Sequence, residues 1–365
     1  MIATDPKRHA RRRRGADVRW LAGLLVLATA FGCVTPMMAP ENLPEAPIAF
    51  VHWPGRSGTK RTSALEKAPQ AVGIPPAHLE SDRLREGEIR AYLRGEVSLR
   101  MRAQLAELPG RLHLIWPRSG ELEAVDAAPP GARPLAWSRD HRRLLLAAAR
   151  RGGREQLFEY DLDARVLRRI TSGDDEHPIG DYVEAGGFVV QRIRSGRGPS
   201  ETSVHRIGSD GRTGPVLALG VPPGTLRYVD AVDRIVYEQV RIRERRGAPA
   251  ELESMIAARD AVPGAPEEIL LRGREPTITP DGEWIVFASA SSAGYRLRRM
   301  RPDGTARVPI SPGGTEERMP SVSPDGAFVA FVRIVDGKRS LAVRRFDGKG
   351  ERVLVSEGSS DSPVW

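Results

Sequence analysis

Toward the end of the chain, short apolar runs are separated by polar turns in a pattern that occurs twice. Glu275-Pro-Thr-Ile-Thr-Pro-Asp281-Gly-Glu-Trp-Ile-Val-Phe287 is followed by Met319-Pro-Ser-Val-Ser-Pro-Asp325-Gly-Ala-Phe-Val-Ala-Phe331. Each copy continues into a second apolar run, Tyr295–Met300 and Leu341–Phe346, and then a second turn, Asp303-Gly304 and Asp347-Gly348. Asp281 and Asp325 are 44 residues apart, as are Asp303 and Asp347. Aromatic and β-branched residues favour strands, and Asp-Gly supplies the positive φ of tight hairpin turns. A fixed period of about 40–45 residues built this way marks a β-propeller blade.

The second turn of the repeat can be followed back through the chain at Ser119-Gly120, Asp163, Asp210-Gly211 and Asp260. A strand precedes each of these turns: Leu112–Trp116, Leu157–Tyr160, Val204–Ile207 and Met255–Ala258. The first turn recurs at Asp140, Gly186-Gly187, Asp233, Asp281 and Asp325, one position fewer. Ser362-Pro-Val-Trp365 matches the strand before that turn, as Arg133-Pro-Leu-Ala-Trp137 does. The expectation is an all-β, six-bladed propeller over residues 111–365, with five full blades and one composite closing blade. The C-terminus would supply the composite's first strand, and the segments at Leu112–Trp116 and Leu122–Val125 its third and fourth. Sharing a blade between chain ends closes a ring and removes exposed strand edges. Ile48–Trp53 resembles the second strand of the later repeats and is the candidate for the composite's missing strand.

Ahead of the repeats the period changes. Ile89, Leu93, Val97, Met101, Leu105 and Leu108 recur at intervals of four and three, the stripe of an amphipathic helix, and Pro109-Gly110 ends it. Residues 81–110 are therefore expected to be helical, packed on the propeller or offered to a partner. Residues 34–80 carry prolines at 36, 40, 44, 47, 54, 69, 75 and 76 and read as an extended tether. Gly55-Arg-Ser-Gly-Thr-Lys60 lacks the spacing and context of a phosphate loop.

The net charge of +9 and pI of 10.1 suggest nucleic acid until the charge is located. Residues 1–33 carry seven Lys/Arg against Asp5 and Asp17, so more than half of the excess belongs to this segment. The remainder is dispersed, and no nucleic-acid partner is expected. Arg11–Arg14 forms a positive n-region and Leu21–Gly32 an apolar h-region too short for a comfortable membrane span. Cys33, the chain's single cysteine, follows directly. The segment resembles a bacterial lipoprotein signal, with Ala30 where such signals usually carry Leu; an ordinary secretory signal or an uncleaved anchor is the alternative. The resemblance implies lipidation of Cys33 and an anchor without a spanning helix. One cysteine allows no intrachain disulfide, so stability must come from the core.

The Ser/Thr-Pro-Asp-Gly, apolar-x-Phe and Asp-Gly segments of residues 276–365 resemble the PD40, or TolB-type, six-bladed propeller, and Ser138-Arg-Asp140 is a weaker copy. The resemblance covers roughly residues 111–365. It departs from TolB at the front, where the stretch 81–108 does not read as an α/β domain. It implies an envelope lipoprotein whose propeller serves as a binding scaffold.

Catalytic signals are sparse. There is no Gly-x-Ser-x-Gly elbow, no Gly-x-Gly-x-x-Gly loop, and no His-Glu-x-x-His among the seven histidines at 9, 52, 78, 113, 141, 177 and 205. His141, His177 and His205 are expected in neighbouring blades, where ring closure could assemble a metal site like that of some propeller lyases. No cofactor or metal is expected. The polar segments leading into the innermost strands are Ser172–Pro178, Gly313–Pro320 and Ser356–Pro363. They carry Asp174, Asp175, Glu176 and His177, then Glu316, Glu317 and Arg318, then Asp361, the candidate binding residues at the channel mouth. The alternative is that these charges merely initiate turns. Asp281, Asp303, Asp325 and Asp347 are expected to be structural, and Arg298-Arg299 and Arg344-Arg345 to lie on solvated strand faces. The expected function is non-catalytic: a periplasmic lipoprotein, anchored at Cys33 to the cell envelope with the outer membrane as the expected site, binding an envelope protein or a peptidoglycan-associated partner. The alternative is a propeller lyase or hydrolase acting on a glycan.

Overall fold

The computed structural model describes residues 38–53, 110–149, 154–194, 201–222, 224–243, 251–292 and 294–365. The signal segment with Cys33, most of the tether, and all but the last residue of the helix expected over 81–110 lie outside the described residues. What is described is almost wholly β, with two short 3-10 turns at Pro40–Asn42 and Asp230–Val232.

Six four-stranded antiparallel sheets form the six blades. The chain opens with three strands of the closing blade: β1 (Ile48–Trp53), β2 (Arg111–Ile115) and β3 (Leu122–Ala124). Blade 1 is β4 (Arg133–Trp137), β5 (Arg143–Ala149), β6 (Glu155–Asp161) and β7 (Val166–Arg169). Blade 2 is β8 (Glu176–Tyr182), β9 (Phe188–Arg194), β10 (Glu201–Ile207) and β11 (Thr213–Leu219). Blade 3 is β12 (Leu226–Val229), β13 (Arg234–Arg243), β14 (Glu251–Asp260) and β15 (Glu268–Arg272). Blade 4 is β16 (Arg274–Ile278), β17 (Ile285–Ser291), β18 (Gly294–Met300) and β19 (Val308–Pro309). Blade 5 is β20 (Glu316–Val322), β21 (Phe328–Val335), β22 (Lys338–Arg345) and β23 (Glu351–Val355). The last strand, β24 (Ser359–Val364), pairs with β1 and completes the closing blade in the order β24-β1-β2-β3. The composite blade is thus formed as the repeat count required, with Ile48–Trp53 as its second strand.

This placement changes the domain reading at the front. Residues 48–53, assigned from sequence to the tether, are a propeller strand, and residues 54–109 are an insertion between the second and third strands of the closing blade. Residues just before β1 also belong to the propeller body. Met38 and Leu43 are buried with Phe328 and Trp365, and Trp365 Nε1 donates to the Ala46 carbonyl at 3.0 Å.

Each strand faces two neighbours, which explains the unbroken apolar runs. Alternate residues of β21 go opposite ways: Val329 and Phe331 pack with Val286 and Leu297 of blade 4, while Phe328 and Ala330 pack with Ile48 and Phe50 of the closing blade. Blade 4 repeats the pattern, with Val286 turned toward blade 5 and Ile285 and Phe287 toward Val236 and Ile256 of blade 3. Six such cores, one per blade interface, hold the ring. Full burial of one Phe or Ile side chain contributes about 1.5–3 kcal/mol.

The turns between first and second strands use the chemistry read from the sequence. In blade 4, Thr279 Oγ1 donates to Asp281 Oδ1 at 2.5 Å, and Asp281 accepts the Glu283 N–H at 2.9 Å. Blade 5 repeats this with Ser323, Asp325 and the Ala327 N–H, and blade 1 with Ser138, Asp140 and the Arg142 N–H. Gly282 and Gly326 occupy left-handed backbone at φ 71° and 70°. In blade 1 His141 holds that position at φ 54°, stacked 6.0 Å from Trp137, which is why the glycine signal vanishes there.

Candidate functional site at the crossover end of the channel

In an antiparallel four-stranded blade successive connections alternate ends. The crossovers into the innermost strands therefore share one end of the propeller with the turns between second and third strands. The insertion 54–109 leaves from and returns to this end. At its centre the six innermost strands abut in sequence around a channel.

Five of those strands carry a proline: Pro134, Pro178, Pro276, Pro320 and Pro363. The pairing register shifts at each of these positions. A proline lacks the N–H for a ladder bond and is tolerated where a bulge releases the backbone. The preceding residues Glu275, Met319 and Ser362 are held left-handed at φ 55°, 52° and 49°. Such backbone costs on the order of 1–2 kcal/mol per residue and persists only where surrounding contacts fix it. Pro134, Pro276, Pro320 and Pro363 line the channel cavity with Arg133, Arg227 and Glu275, leaving about 90 Å³. That is room for a few water molecules and far below the roughly 300–1,000 Å³ of a small-molecule pocket.

Buried charges fix the strand starts to one another. Arg318 donates to Glu275 at 2.8 Å, and the second oxygen of Glu275 accepts the Met319 N–H at 2.7 Å, joining blades 4 and 5. Arg274 bonds Ser254 at 3.1 Å and pairs with Glu238 at 3.4 Å; Glu238 also accepts the Glu275 N–H at 3.0 Å, joining blades 3 and 4. The Tyr295 ring lies under both guanidinium groups, 4.7 Å from Arg318 and 5.3 Å from Arg274. Arg339 meets Asp361 at 2.9 Å across the blade 5–closing blade interface. Arg133 donates to the Pro178 carbonyl at 3.0 Å and pairs with Glu155 at 3.3 Å. Within blade 5, Glu317, 0% exposed, takes a bidentate pair from Arg344 at 2.5 and 2.8 Å. Arg344 also pairs with Glu351.

The candidate residues read from the sequence divide into two sets. Glu176, Glu317, Arg318 and Asp361 begin the innermost strands and are buried, rather than standing in loops. His177 is buried beside them, and burial pushes its imidazole down to about 4. Asp174 is exposed, and Asp175 and Glu316 are half-buried. Asp175 sits 3.8 Å from Arg192 and 3.9 Å from Arg194, too far for hydrogen bonds. Among the described residues, this end is thus a sparse polar rim over a buried belt.

Two further expectations are corrected. Arg344 is not on a solvated face: alternation along β22 turns it into the blade, where two glutamates neutralise it. Arg299 is half-buried between the rings of Trp284 and Phe346, at 4.8 and 4.4 Å. His177 and His205 stand in one blade, not in neighbouring ones, and His141 occupies a turn at the opposite end of blade 1. Among the described residues no three His, Cys, Asp or Glu side chains converge as metal ligands. The sequence reasoning missed Glu238, Glu275 and Arg344. For Glu275 the available signal was its place directly before the innermost-strand proline Pro276; Glu238 and Arg344 lie on second and third strands, where no such signal stands.

No protein-family profile matches the chain. Sequence comparison finds the uncharacterized protein Atu1656 of Agrobacterium fabrum, 31% identical over 106 residues, or 26% of this chain and 36% of that protein. It also finds a TolB homolog of Chlorobium chlorochromatii, 34% identical over 85 residues, or 23% of this chain and 19% of that protein. The matched stretch thus spans well under half the length of either relative. Among solved structures, TolB from Acinetobacter baumannii superposes with a TM-score of 0.56 at 14% identity, covering 88% of this chain and 66% of that one. The chain has the TolB-type six-bladed β-propeller fold.

Proposed function

We propose that this protein is a non-catalytic binding scaffold of the bacterial cell envelope. Its partner, a protein or a peptidoglycan-associated component, docks on the crossover end of the propeller. The observation that carries this reading is the contrast at that end between a rigid, internally neutralised belt and the polar rim above it. A surface whose foundations are fixed by buried pairs loses little conformational freedom on binding, which favours docking over induced rearrangement. The narrow channel argues for contact with the face rather than for threading through the ring. The TolB-type fold and the export-like segment ending at Cys33 support an envelope location with a lipid anchor, in keeping with an outer-membrane lipoprotein.

The test is capture from detergent-solubilised envelopes by the full-length protein, compared with a variant carrying Asp174→Lys, Glu316→Lys and Glu357→Lys. All three residues lie on the crossover connections or at their ends, and none is fully buried. A partner held by the wild type and lost by the variant supports the reading. A partner held equally by both places docking elsewhere and overturns it.

A further inference from the structure

The closing blade is the one blade assembled from separate pieces of chain, and at its seam lie two buried histidines. His52 on β1 stands opposite Ser360 of β24 on one side and Arg111 of β2 on the other. His113 on β2 stands opposite Phe50, two residues before His52 and so on the same face of β1. The two imidazole rings meet edge to face at 5.2 Å, and both pack against Phe50, at 5.7 and 6.0 Å. His52 is 4% exposed and His113 8%.

Little around this pair could accept a second positive charge. His113 Nδ1 lies 3.1 Å from the Arg111 carbonyl. His52 Nδ1 is buried without a hydrogen-bond partner, as is Ser360 Oγ directly across the ladder. Phe50 continues into an apolar cluster with Phe328, Ala330 and Leu341 of blade 5. Of the charged groups nearby, Arg111 is exposed and of the same sign as an imidazolium. Asp361, the next residue of β24, is already paired with Arg339 at 2.9 Å. Burial, and then repulsion from His113, hold the His52 imidazole below its ordinary value, outweighing a hydrogen bond with the Ser359 backbone that favours the charged form.

We propose that His52 and His113 form an acid-sensitive latch on ring closure. With the His52 imidazole neutral, β24, β1 and β2 pack as one blade. Protonation of His52 places a charge in an apolar seam, its ring 5.2 Å from that of His113, and the relief available is separation of β1 from β24, which His52 faces across the ladder. No covalent bond holds this seam, since the chain's one cysteine lies at position 33. The other blades are each built from four consecutive strands joined by short connections. The closing blade therefore opens first, releasing β24 and exposing the ends of the strands that flank the insertion 54–109.

Hydrogen exchange of the full-length protein at pH 7.5 and pH 5, corrected for intrinsic rates, tests the latch. The expected result is a loss of protection of about tenfold or more at pH 5 in peptides covering 48–53 and 359–364, corresponding to about 1.4 kcal/mol or more of local stability. Peptides covering 285–291 of blade 4 should keep theirs. In His52→Gln/His113→Gln the local loss should disappear. Uniform loss across all blades, unchanged protection at 48–53, or the same local loss in the variant would each overturn the latch. Should the double variant fail to fold, the wild-type contrast between the closing blade and blade 4 decides alone.

Discussion

Blades 2 and 5 place different chemistry in the same position of the repeat. At the start of its innermost strand, blade 5 has Glu317-Arg318, and both charges are neutralised by partners within 3 Å. Blade 2 has Glu176-His177, and the imidazole is buried with its Nδ1 unpartnered. A guanidinium keeps its charge throughout the ordinary pH range, whereas an imidazole is neutral only while pH permits. The closing blade likewise buries imidazoles, His52 and His113, alongside its Arg339–Asp361 pair. Two ways of filling a buried polar position thus divide the ring into a part insensitive to mild acid and a part that responds to it.

The largest expected effect breaks the first half of this contrast. Arg344→Met leaves Glu317 buried without its bidentate partner, and loss of one member of a buried pair costs about 3–5 kcal/mol. Denaturant unfolding at pH 7.5 should show this as a lowered midpoint with an unchanged slope. A loss below about 1 kcal/mol would mean that the pair adds little beyond its desolvation cost.

The second prediction sharpens the other half. The His177 pKa lies below the free value of 6.5, at about 4, so the folded state favours the neutral ring. Its contribution to stability is complete above pH 6.5 and declines as the pH falls toward 4. The total decline is about 3 kcal/mol. His177→Gln should flatten this part of the stability–pH curve, measured by urea unfolding at half-unit steps. An unaltered curve would place the acid response elsewhere in the ring.

A smaller effect belongs to the turns. Asp325→Ala removes the acceptor of the Ser323 hydroxyl and the Ala327 N–H, at 2.5 and 3.0 Å, and should cost about 1 kcal/mol. The equivalent Asp140→Ala in blade 1, where the turn aspartate is similarly bonded, should cost about the same despite the missing glycine. A difference of more than about 1 kcal/mol between the two would show that the weaker sequence copy also makes a weaker turn.

Most of the architecture was legible in the sequence because a propeller repeats its local code. Asp281, Asp325 and Asp140 each need a hydroxyl two residues earlier, and that requirement survives where the glycine does not. The third-strand runs found near residues 112, 157, 204 and 255 coincide with β2, β6, β10 and β14. The mouth residues were legible as positions but not as environments. Glu176, Glu317, Arg318 and Asp361 look like loop charges because polar residues before a proline usually are. Here the proline marks a bulge inside a strand, and the partners come from other strands or other blades.

The sequence by itself determined the number of blades, their turns and the sharing of one blade between distant parts of the chain. The blades and their turns rest on contacts within about 50 residues that recur, and the shared blade was legible from the count of those turns. Only the tertiary structure decided that β1 lies within the stretch read as a tether, that residues 54–109 are an insertion, and which charges face inward. Glu275 and Arg318 are 43 residues apart, and His52 and His113 are 61. Ring closure brings such residues into contact, and no local pattern encodes a meeting that the whole fold creates.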